Sequence, residues 1–553
     1  MNEYQLANLI FPNVKKTILD LEKIYPERIL KEGAKVTRFA PSPTGFLHTG
    51  SLFTSLVASK IAKDTNGIFY TRLEDTDTKR EVQGSGEILI KQLSKFDIVP
   101  NEGYLGDCEK GIYGPYKQSN RKEIYEIVIK EMISKGIAYP CFLSEEEINK
   151  IRAEQEKNNV ITGIYGKYAI YRDLSIDEAI EKIKQGLPYV IRFKSSGSST
   201  NKIKVHDEIR GDLELTENDQ DIVILKSDGL PTYHFAHVCD DHFMHTNLVT
   251  RGEEWLPSLP IHIDLFKALG FKIPKYAHLP VIMKMDNGIR RKLSKRKDPE
   301  ASVDYFFRAG YEPHALLVYL MTIANSNYED YIVKTHDYNL DNFNFDLKKM
   351  SLDGALFDND KLDYYSKEIL GQMNKDVISS KAKSWASEYS PELLAFINNN
   401  EKRFVEIMNI ERERKNPRKD YAKYSDIYDL IKFFDANEFN KLVPAAIKEF
   451  NQNIKREIII SFLNDYKDNY DISSDEQNWF IKVKEVAGKY NFCTDNKIFK
   501  ENPSLYVGNI NDACELIRIA LTTKKVTPNL FSIMKILTSE EISYRIEKII
   551  SLL

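Results

Sequence analysis

Leu52, Phe53, Leu56, Val57 and Ile61 recur three and four residues apart, the spacing of one helix face, until Asn66-Gly67 ends the run. Residues 35–40 before this run and residues 68–73 after it read as strands, and Pro41, Pro43 and Gly45 punctuate a turn between the first strand and the helix. Strand, helix, strand in so short a span predicts a βαβ unit, and parallel strands imply a sheet covered by helices. Upstream, Val14, Ile18, Leu21 and Tyr25 fall on one helical face that Pro26 closes, so residues 1–33 are expected to pack as an amphipathic helical extension. Between 116 and 220 the pattern mixes a helical run (121–135), a polar stretch (152–166) and a strand (189–194), which predicts an inserted domain. A turn at Ser227-Asp228-Gly229, a helix from Tyr233, a strand over 247–251 and a helix over 255–269 then resume the alternation. Beyond residue 300 almost every periodic segment is helical.

The chain has 553 residues, which at roughly 150 residues per domain predicts three or four domains and excludes a single small module. A hydrophobic share of 42%, with 31 Tyr and 28 Phe, excludes a disordered chain. The five cysteines (108, 141, 239, 493 and 514) are widely and irregularly spaced, which argues against a disulfide framework and fits a reducing compartment. Residues 1–4 do not begin a basic region followed by an apolar core, and the longest apolar-dominated stretch, 315–324, is far short of the ~20 residues a bilayer requires. A cytoplasmic location without a membrane is therefore expected. The net charge of -4 does not announce a nucleic-acid partner and leaves local patches open.

Two clusters carry candidate chemistry. The turn Pro41-Ser42-Pro43-Thr44-Gly45-Phe46-Leu47-His48-Thr49-Gly50 delivers a strand end onto a helix start, where free N–H groups and the helix dipole favour a phosphate. His48 can donate beside such phosphates, and Gly50 permits close approach of a base or ribose; a plain helix-capping turn is the alternative. Neither a Walker loop nor a dinucleotide fingerprint is present there. The second cluster, Arg290-Arg291-Lys292-Leu293-Ser294-Lys295-Arg296-Lys297-Asp298, holds six basic residues and one acidic. Such a run is often a solvated loop, but with the small Ser294 between them Lys292 and Lys295 can converge on one triphosphate.

The stretch Arg38-Phe39-Ala40-Pro41-Ser42-Pro43-Thr44-Gly45-Phe46-Leu47-His48-Thr49-Gly50 resembles the HIGH-type signature of class I aminoacyl-tRNA synthetases in its glutamyl version. Lys292-Leu293-Ser294-Lys295-Arg296 resembles the KMSKS loop of the same enzymes. Further matches to bacterial-type glutamyl-tRNA synthetases are Arg72-Leu73-Glu74-Asp75-Thr76-Asp77, Gly114-Pro115-Tyr116-Lys117-Gln118-Ser119, Pro231-Thr232-Tyr233 with Asp240-Asp241-His242, and Arg251-Gly252-Glu253-Glu254-Trp255. The likeness runs from about residue 35 to 370.

The resemblance implies a Rossmann-like α/β catalytic domain in two halves (34–115 and 221–275), interrupted by an α+β acceptor-end-binding domain (116–220). A stem-contact domain carrying the KMSKS-like loop (276–370) and an all-α anticodon-binding domain (371–553) would follow, with 1–33 as the amino-terminal extension. It implies that L-glutamate is activated with ATP, accompanied by Mg2+, and transferred by a monomer to tRNA(Glu), with tRNA(Gln) left open as a second acceptor. His48, Lys292 and Lys295 would be catalytic, and Thr44, His48, Gly50, Ser51, Lys292, Ser294 and Lys295 would bind ATP. Glutamate carries two carboxylates and one ammonium, so its pocket needs two cations and one anion; Arg38, Arg251 and Glu74 meet that need, with Ala40, Ser42 and Tyr233 as lining. Which arginine takes which carboxylate stays open. In isolation, Glu74 would read as a surface ion pair with Arg72, and Tyr233 as a core tyrosine.

The chain also departs from the family pattern. His237 stands where some relatives have asparagine, so either a substrate contact or a plain helix-face histidine fits it. Cys141-Phe142-Leu143 keeps one cysteine of a zinc-binding C-x-C pair, so no zinc is expected. The carboxyl-terminal match rests on residues 351–358 and 521–528; the cluster at 412–419 suits either unpaired anticodon bases or solvated helix ends. A glutaminyl enzyme is the near alternative, disfavoured because that family tends to carry an acidic residue at the Ser42 position. A short paralogue that glutamylates a tRNA base would lack the residues beyond 370, and a noncatalytic tRNA-binding relative would have no need of His48, Lys292 and Lys295 together.

Overall fold

The chain opens with two short helices in place of the single one expected. Asn2 caps α1 (Glu3–Ile10) and Thr17 caps α2 (Ile18–Ile24), each in a reciprocal capping box. Val14 lies between them, outside either helix, because Pro12 offers no N–H and Thr17 restarts the chain from an extended backbone. Val14, Ile18, Leu21 and Tyr25 are nevertheless all buried, so the apolar pattern reports packing and not one continuous helix. The computed structural model describes residues 2–77, 79–352 and 354–553. Met1, in the extension, and Asp353, in the carboxyl-terminal match, lie outside the described residues.

The expected βαβ unit follows as β1 (Val36–Phe39), α3 (Thr49–Asp64) and β2 (Ile68–Thr71), with β1 and β2 parallel and Val36 opposite Ile68. All four residues of β1 are buried, as in a strand covered on both faces. Gly67 closes the turn from α3; a Cβ there would stand 1.9 Å from the Lys35 carbonyl oxygen. After α4 (Ser85–Ser94), β3 (Glu102–Tyr104) joins β2 in parallel and β4 (Glu109–Lys110) turns back antiparallel.

The next stretch holds α5 (Lys122–Ser134), β5 (Ala138–Cys141), α6 (Glu145–Lys157), α7 (Ile176–Lys184), β6 (Val190–Phe193), β7 (Lys202–Asp207), β8 (Gly211–Thr216) and β9 (Val223–Leu225). β5, β6 and β9 form an antiparallel sheet. α6 covers the start of the polar stretch; it buries only Gln155 and is set by a Ser144–Glu147 capping box with an acidic first turn.

Then come α8 (Tyr233–Phe243), β10 (Leu248–Gly252), α9 (Leu259–Leu269) and β11 (Lys275–Leu279). α9 begins later than periodicity suggests, because Pro257 confines Glu253–Ser258 to a tight 3-10 turn, while Pro260 suits the first turn of the helix itself. β10 and β11 are parallel, and β11 also pairs with β7, which carries the β8 hairpin. Asn247 bonds Val36 in both directions, at 2.8 and 3.2 Å, which sets β10 beside β1. A hairpin, β12 (Ile282–Asp286) and β13 (Ile289–Lys292), turns at Asn287-Gly288, both with positive φ, and β14 (Ala355–Leu356) pairs with β12.

These elements belong to one of two compact units, Met1–Phe306 with Leu316–Asp358. One apolar cluster in it joins the extension (Leu6, Phe11, Leu21, Tyr25) to α5 and α8. The other unit, Phe307–Ala315 with Asn359–Leu553, is almost wholly helical around a cluster running from Leu370 to Ile549. All five cysteines are free, and among the described residues no helix is long and apolar enough to cross a membrane.

Candidate active site

The end of β1, the start of α3 and the loop after β13 meet at one cleft of about 1130 Å3. His48 is the N-cap of α3, and its Nδ1 accepts the Gly50 N–H at 3.0 Å. A neutral imidazole that accepts at Nδ1 carries its hydrogen on Nε2. Burial, then Lys295 and Lys292 nearby, push the His48 pKa down to about 4, so the ring is neutral at pH 7. The helix start is fastened to the segment beyond the basic loop: Thr49 Oγ1 donates to the Glu300 carbonyl at 2.5 Å, and the Val303 N–H to Leu47 O at 3.1 Å.

The basic loop is folded on itself instead of splayed in water. Leu293 is buried, Arg291 grips Asp298 with both terminal nitrogens at 2.6 and 2.8 Å, and the Ser294 N–H donates to the same carboxylate at 2.8 Å. That leaves Lys292 and Lys295 facing the cleft. Lys292 Nζ stands 3.2 Å from Glu254, and Lys295 makes no ion pair among the described residues. Gly50 and Ser51 line the same wall, whereas Thr44 and Ser294 do not line the cleft. The Thr44 N–H closes the turn onto Ser42 O at 2.8 Å.

Arg38, Ala40, Ser42, Glu74, Tyr233 and Arg251 line the same cleft. Arg38 spends Nε on Asp241 at 3.3 Å, one Nη1 hydrogen on Thr250 O at 3.3 Å and one Nη2 hydrogen on His237 Nδ1 at 3.4 Å. Arg251 spends Nε on His278 Nε2 at 2.9 Å, one Nη1 hydrogen on His262 Nδ1 at 3.1 Å and one Nη2 hydrogen on Trp255 O at 3.3 Å. A guanidinium has five N–H bonds, so each arginine keeps one on each terminal nitrogen, the pair that a carboxylate takes bidentately.

The charges behind these forks differ. Arg38, Arg72 and Arg121 face Asp240, Asp241 and Glu74: Arg72 donates to Asp241 at 2.6 Å and to Glu74 at 2.9 Å, and Arg121 to Asp240 at 2.6 Å. Three cations and three anions balance. Burial pushes the Asp241 carboxyl up, but Arg38 and Arg72 outweigh it and hold it below the usual range. Burial raises Glu74, and Arg72 and Arg38 oppose that rise. Arg251 stands outside this balance, because its partners are two imidazoles, a carbonyl and the face of the Tyr276 ring at 5.0 Å, so no carboxylate compensates its positive charge at contact distance.

The Arg72–Glu74 pair read from the sequence as a surface contact is buried, with Arg72 0% and Glu74 8% exposed. Tyr233 is at the cleft wall, its ring 4.5 Å from that of Trp255. His237 does not line the cleft; it is fully buried behind Tyr233 and serves Arg38. Sequence reasoning missed the roles of Asp241, His262 and His278. The only signal for them was that Asp241 sits in a quoted match; its arginine partners are more than 160 residues away, and residue spacing carries no sign of which would meet it. Among the described residues no cluster of three or more His, Cys, Asp or Glu side chains is placed to hold a metal ion.

Comparison with known proteins adds three findings. Residues 35–364 match the family model for class I tRNA synthetases (E and Q), catalytic domain. The chain is 44% identical over 553 residues to the glutamate–tRNA ligase of Clostridium perfringens (strain SM101 / Type A), covering 100% of both, and 42% identical over 551 residues, again 100% of both, to that of Acetivibrio thermocellus. It resembles the crystal structure of a glutamate tRNA ligase from Elizabethkingia meningosepticum in complex with its amino acid, with a TM-score of 0.74 and 28% identity across 94% of this chain and 99% of that one.

Proposed function

The chain belongs to the class I tRNA synthetases of the E and Q type, and from that premise we propose how its cleft works. The activity is that of a glutamate–tRNA ligase: L-glutamate and ATP give glutamyl-adenylate and pyrophosphate, and the 3'-terminal adenosine of tRNA(Glu) then takes the glutamyl group and releases AMP. In the first step a glutamate carboxylate oxygen attacks the ATP α-phosphorus, and the bond to the oxygen bridging to the β-phosphate breaks. Charge shifts onto the pyrophosphate, so the step needs fixed donors and cations, and no protein nucleophile. His48 would donate from Nε2 to a phosphate oxygen without adding charge, beside Gly50 and Ser51. Lys292 and Lys295 would neutralise the departing pyrophosphate, Lys292 by exchanging Glu254 for phosphate. Thr44 and Ser294 would act through the turn and loop they shape. Magnesium enters as a companion of the nucleotide, with no residue assigned to it.

Arg38 and Arg251 would each grip one substrate carboxylate, Glu74 would take the ammonium, and Ala40, Ser42 and Tyr233 would wall the pocket. The observation that carries this reading is the pair of half-spent arginine forks in the same cleft as His48 and Lys295. In the same reading 34–115 and 221–275 form the catalytic halves, 116–220 receives the acceptor end, 276–370 contacts the stem, 371–553 reads the anticodon, and 1–33 buttresses α5 and α8. The enzyme would act as a cytoplasmic monomer. Charging of purified tRNA(Glu) and tRNA(Gln) with labelled glutamate and glutamine tests it. Glutamate on tRNA(Glu) is expected, with glutamine on neither; glutamine transfer would install the glutaminyl reading, and no transfer at all a noncatalytic relative.

A further inference from the structure

Arg251 sits in the middle of an unbroken chain of hydrogen bonds that the mechanism does not use. Asp207, on β7, accepts His278 Nδ1 at 2.7 Å and is loaded further by the N–H groups of Ile209 and Arg210, both at 3.0 Å, and of His278 at 3.1 Å. His278 lies opposite Arg251 in the β10–β11 register. Arginine only donates, so His278 Nε2 and His262 Nδ1 must both be lone-pair acceptors toward it. His262 therefore carries its hydrogen on Nε2 and passes it to His234 Nδ1 at 3.0 Å. One direction is fixed throughout: outward from Arg251 to His262 and His234 on one arm, and from Arg251 to His278 and on to Asp207 on the other. Asp207, His262 and His278 are all fully buried, and Arg251 is 5% exposed. Burial pushes both His262 and His278 below the usual imidazole range, which keeps them in the uncharged form that accepts.

The arrangement resolves two demands that conflict. A buried guanidinium needs acceptors on the N–H groups it does not offer to substrate, or it pays for their desolvation. If one of those acceptors were a carboxylate, as Asp241 is at Arg38, the charge would be largely cancelled and the free fork would bind an amide oxygen nearly as well as a carboxylate. Neutral imidazoles satisfy the hydrogen bonds and leave the charge. The one carboxylate of the chain, Asp207, is kept one imidazole away, where it sets the tautomer of His278 without touching Arg251.

We propose that His262, His278 and Asp207 are positioning residues that hold the Arg251 fork in place as an uncompensated cation, and that this neutrality of its acceptors selects a substrate carboxylate over an amide. The proposal rests on the reading of the cleft as a glutamate site. Its test compares His262→Gln, which keeps a neutral acceptor, with His262→Glu, which has the same length and adds a charge, each assayed for glutamate-dependent ATP–pyrophosphate exchange with tRNA present. His262→Glu should raise the KM for glutamate roughly ten- to a hundredfold, with the KM for ATP unchanged and the preference for glutamate over glutamine reduced. His262→Gln should stay within about threefold of the parent. The same pair at His278 gives a second reading should either 262 variant misfold, an unchanged KM for ATP marking intact protein. Equal effects of the glutamine and glutamate variants, or an ATP KM that rises with the glutamate KM, would overturn the proposal and leave the function standing. A parent protein that supports no glutamate-dependent exchange would overturn both.

Discussion

In the proposed reading a neutral imidazole faces a triphosphate, an odd choice until its two nitrogens are counted. Capping α3 uses Nδ1 of His48 and leaves Nε2–H as a donor that needs no charge, while Lys292 and Lys295 on the same cleft would supply the charge. The same pattern recurs on the proposed glutamate side, where His234 has a pKa pushed down to about 4 by burial and then Arg251, as His48 has by burial and then Lys295. Both lie below the unfolded value of about 6.5, so between pH 6.5 and about 4 the unfolded chain binds more protons and stability must fall with pH. The loss should reach on the order of a few kcal/mol by pH 4, less what solvent screening removes. Urea midpoints measured from pH 7 to 5 should drop steadily, and less steeply in His234→Gln; a flat or rising midpoint would contradict the assignment of neutral histidines. At this scale the placement of His48, Arg38, Arg251 and Glu74 on one cleft was legible, because the resemblance picks out those positions and their charges suit the proposed substrates. His262 and Asp241 were not, since their work is to satisfy another side chain, and that depends on packing partners no local pattern specifies.

Among the elements, the β12–β13 hairpin decides whether the basic run is a site or a solvated loop. Asn287-Gly288 reverses the chain, Leu293 anchors it, and Asp298 gathers Arg291 and the Ser294 N–H. The Arg291 bonds and the Ser294 N–H hold the Asp298 carboxyl well below its ordinary range, so it stays ionised and keeps its grip through the physiological pH range. Asp298→Ala should free the loop: the rate of adenylate formation should fall about tenfold or more while glutamate binding and overall stability change little. An unchanged rate would mean that the loop does not need this clasp. Sequence pattern foresaw the βαβ unit and α8, where apolar spacing and turn residues agree. It blurred where polarity or proline intervened: α6 has almost no apolar stripe, and Pro12 splits the extension so that Val14 packs from a loop.

Across the whole molecule the account requires that two stretches about 240 residues apart in sequence serve one nucleotide. The structure places His48 and Lys295 on one cleft, and Thr49–Glu300 and Leu47–Val303 bonds fasten the two stretches together just behind it. This pairing was legible through the resemblance, because each motif is contiguous, whereas by its own chemistry the first reads equally as a capping turn and the second as a solvated loop. What the sequence left open was the neutral surround of Arg251 and the balanced network behind Arg38, which only folding assembles. The most direct measurement is glutamate-dependent ATP–pyrophosphate exchange, with tRNA present, in the parent protein and in Lys295→Ala, alongside filter binding of tRNA(Glu). Loss of one such transition-state contact is worth about 3 kcal/mol, so exchange should fall about a hundredfold while tRNA binding holds within about twofold. Undiminished exchange in Lys295→Ala, or equal loss of exchange and tRNA binding, would contradict the account.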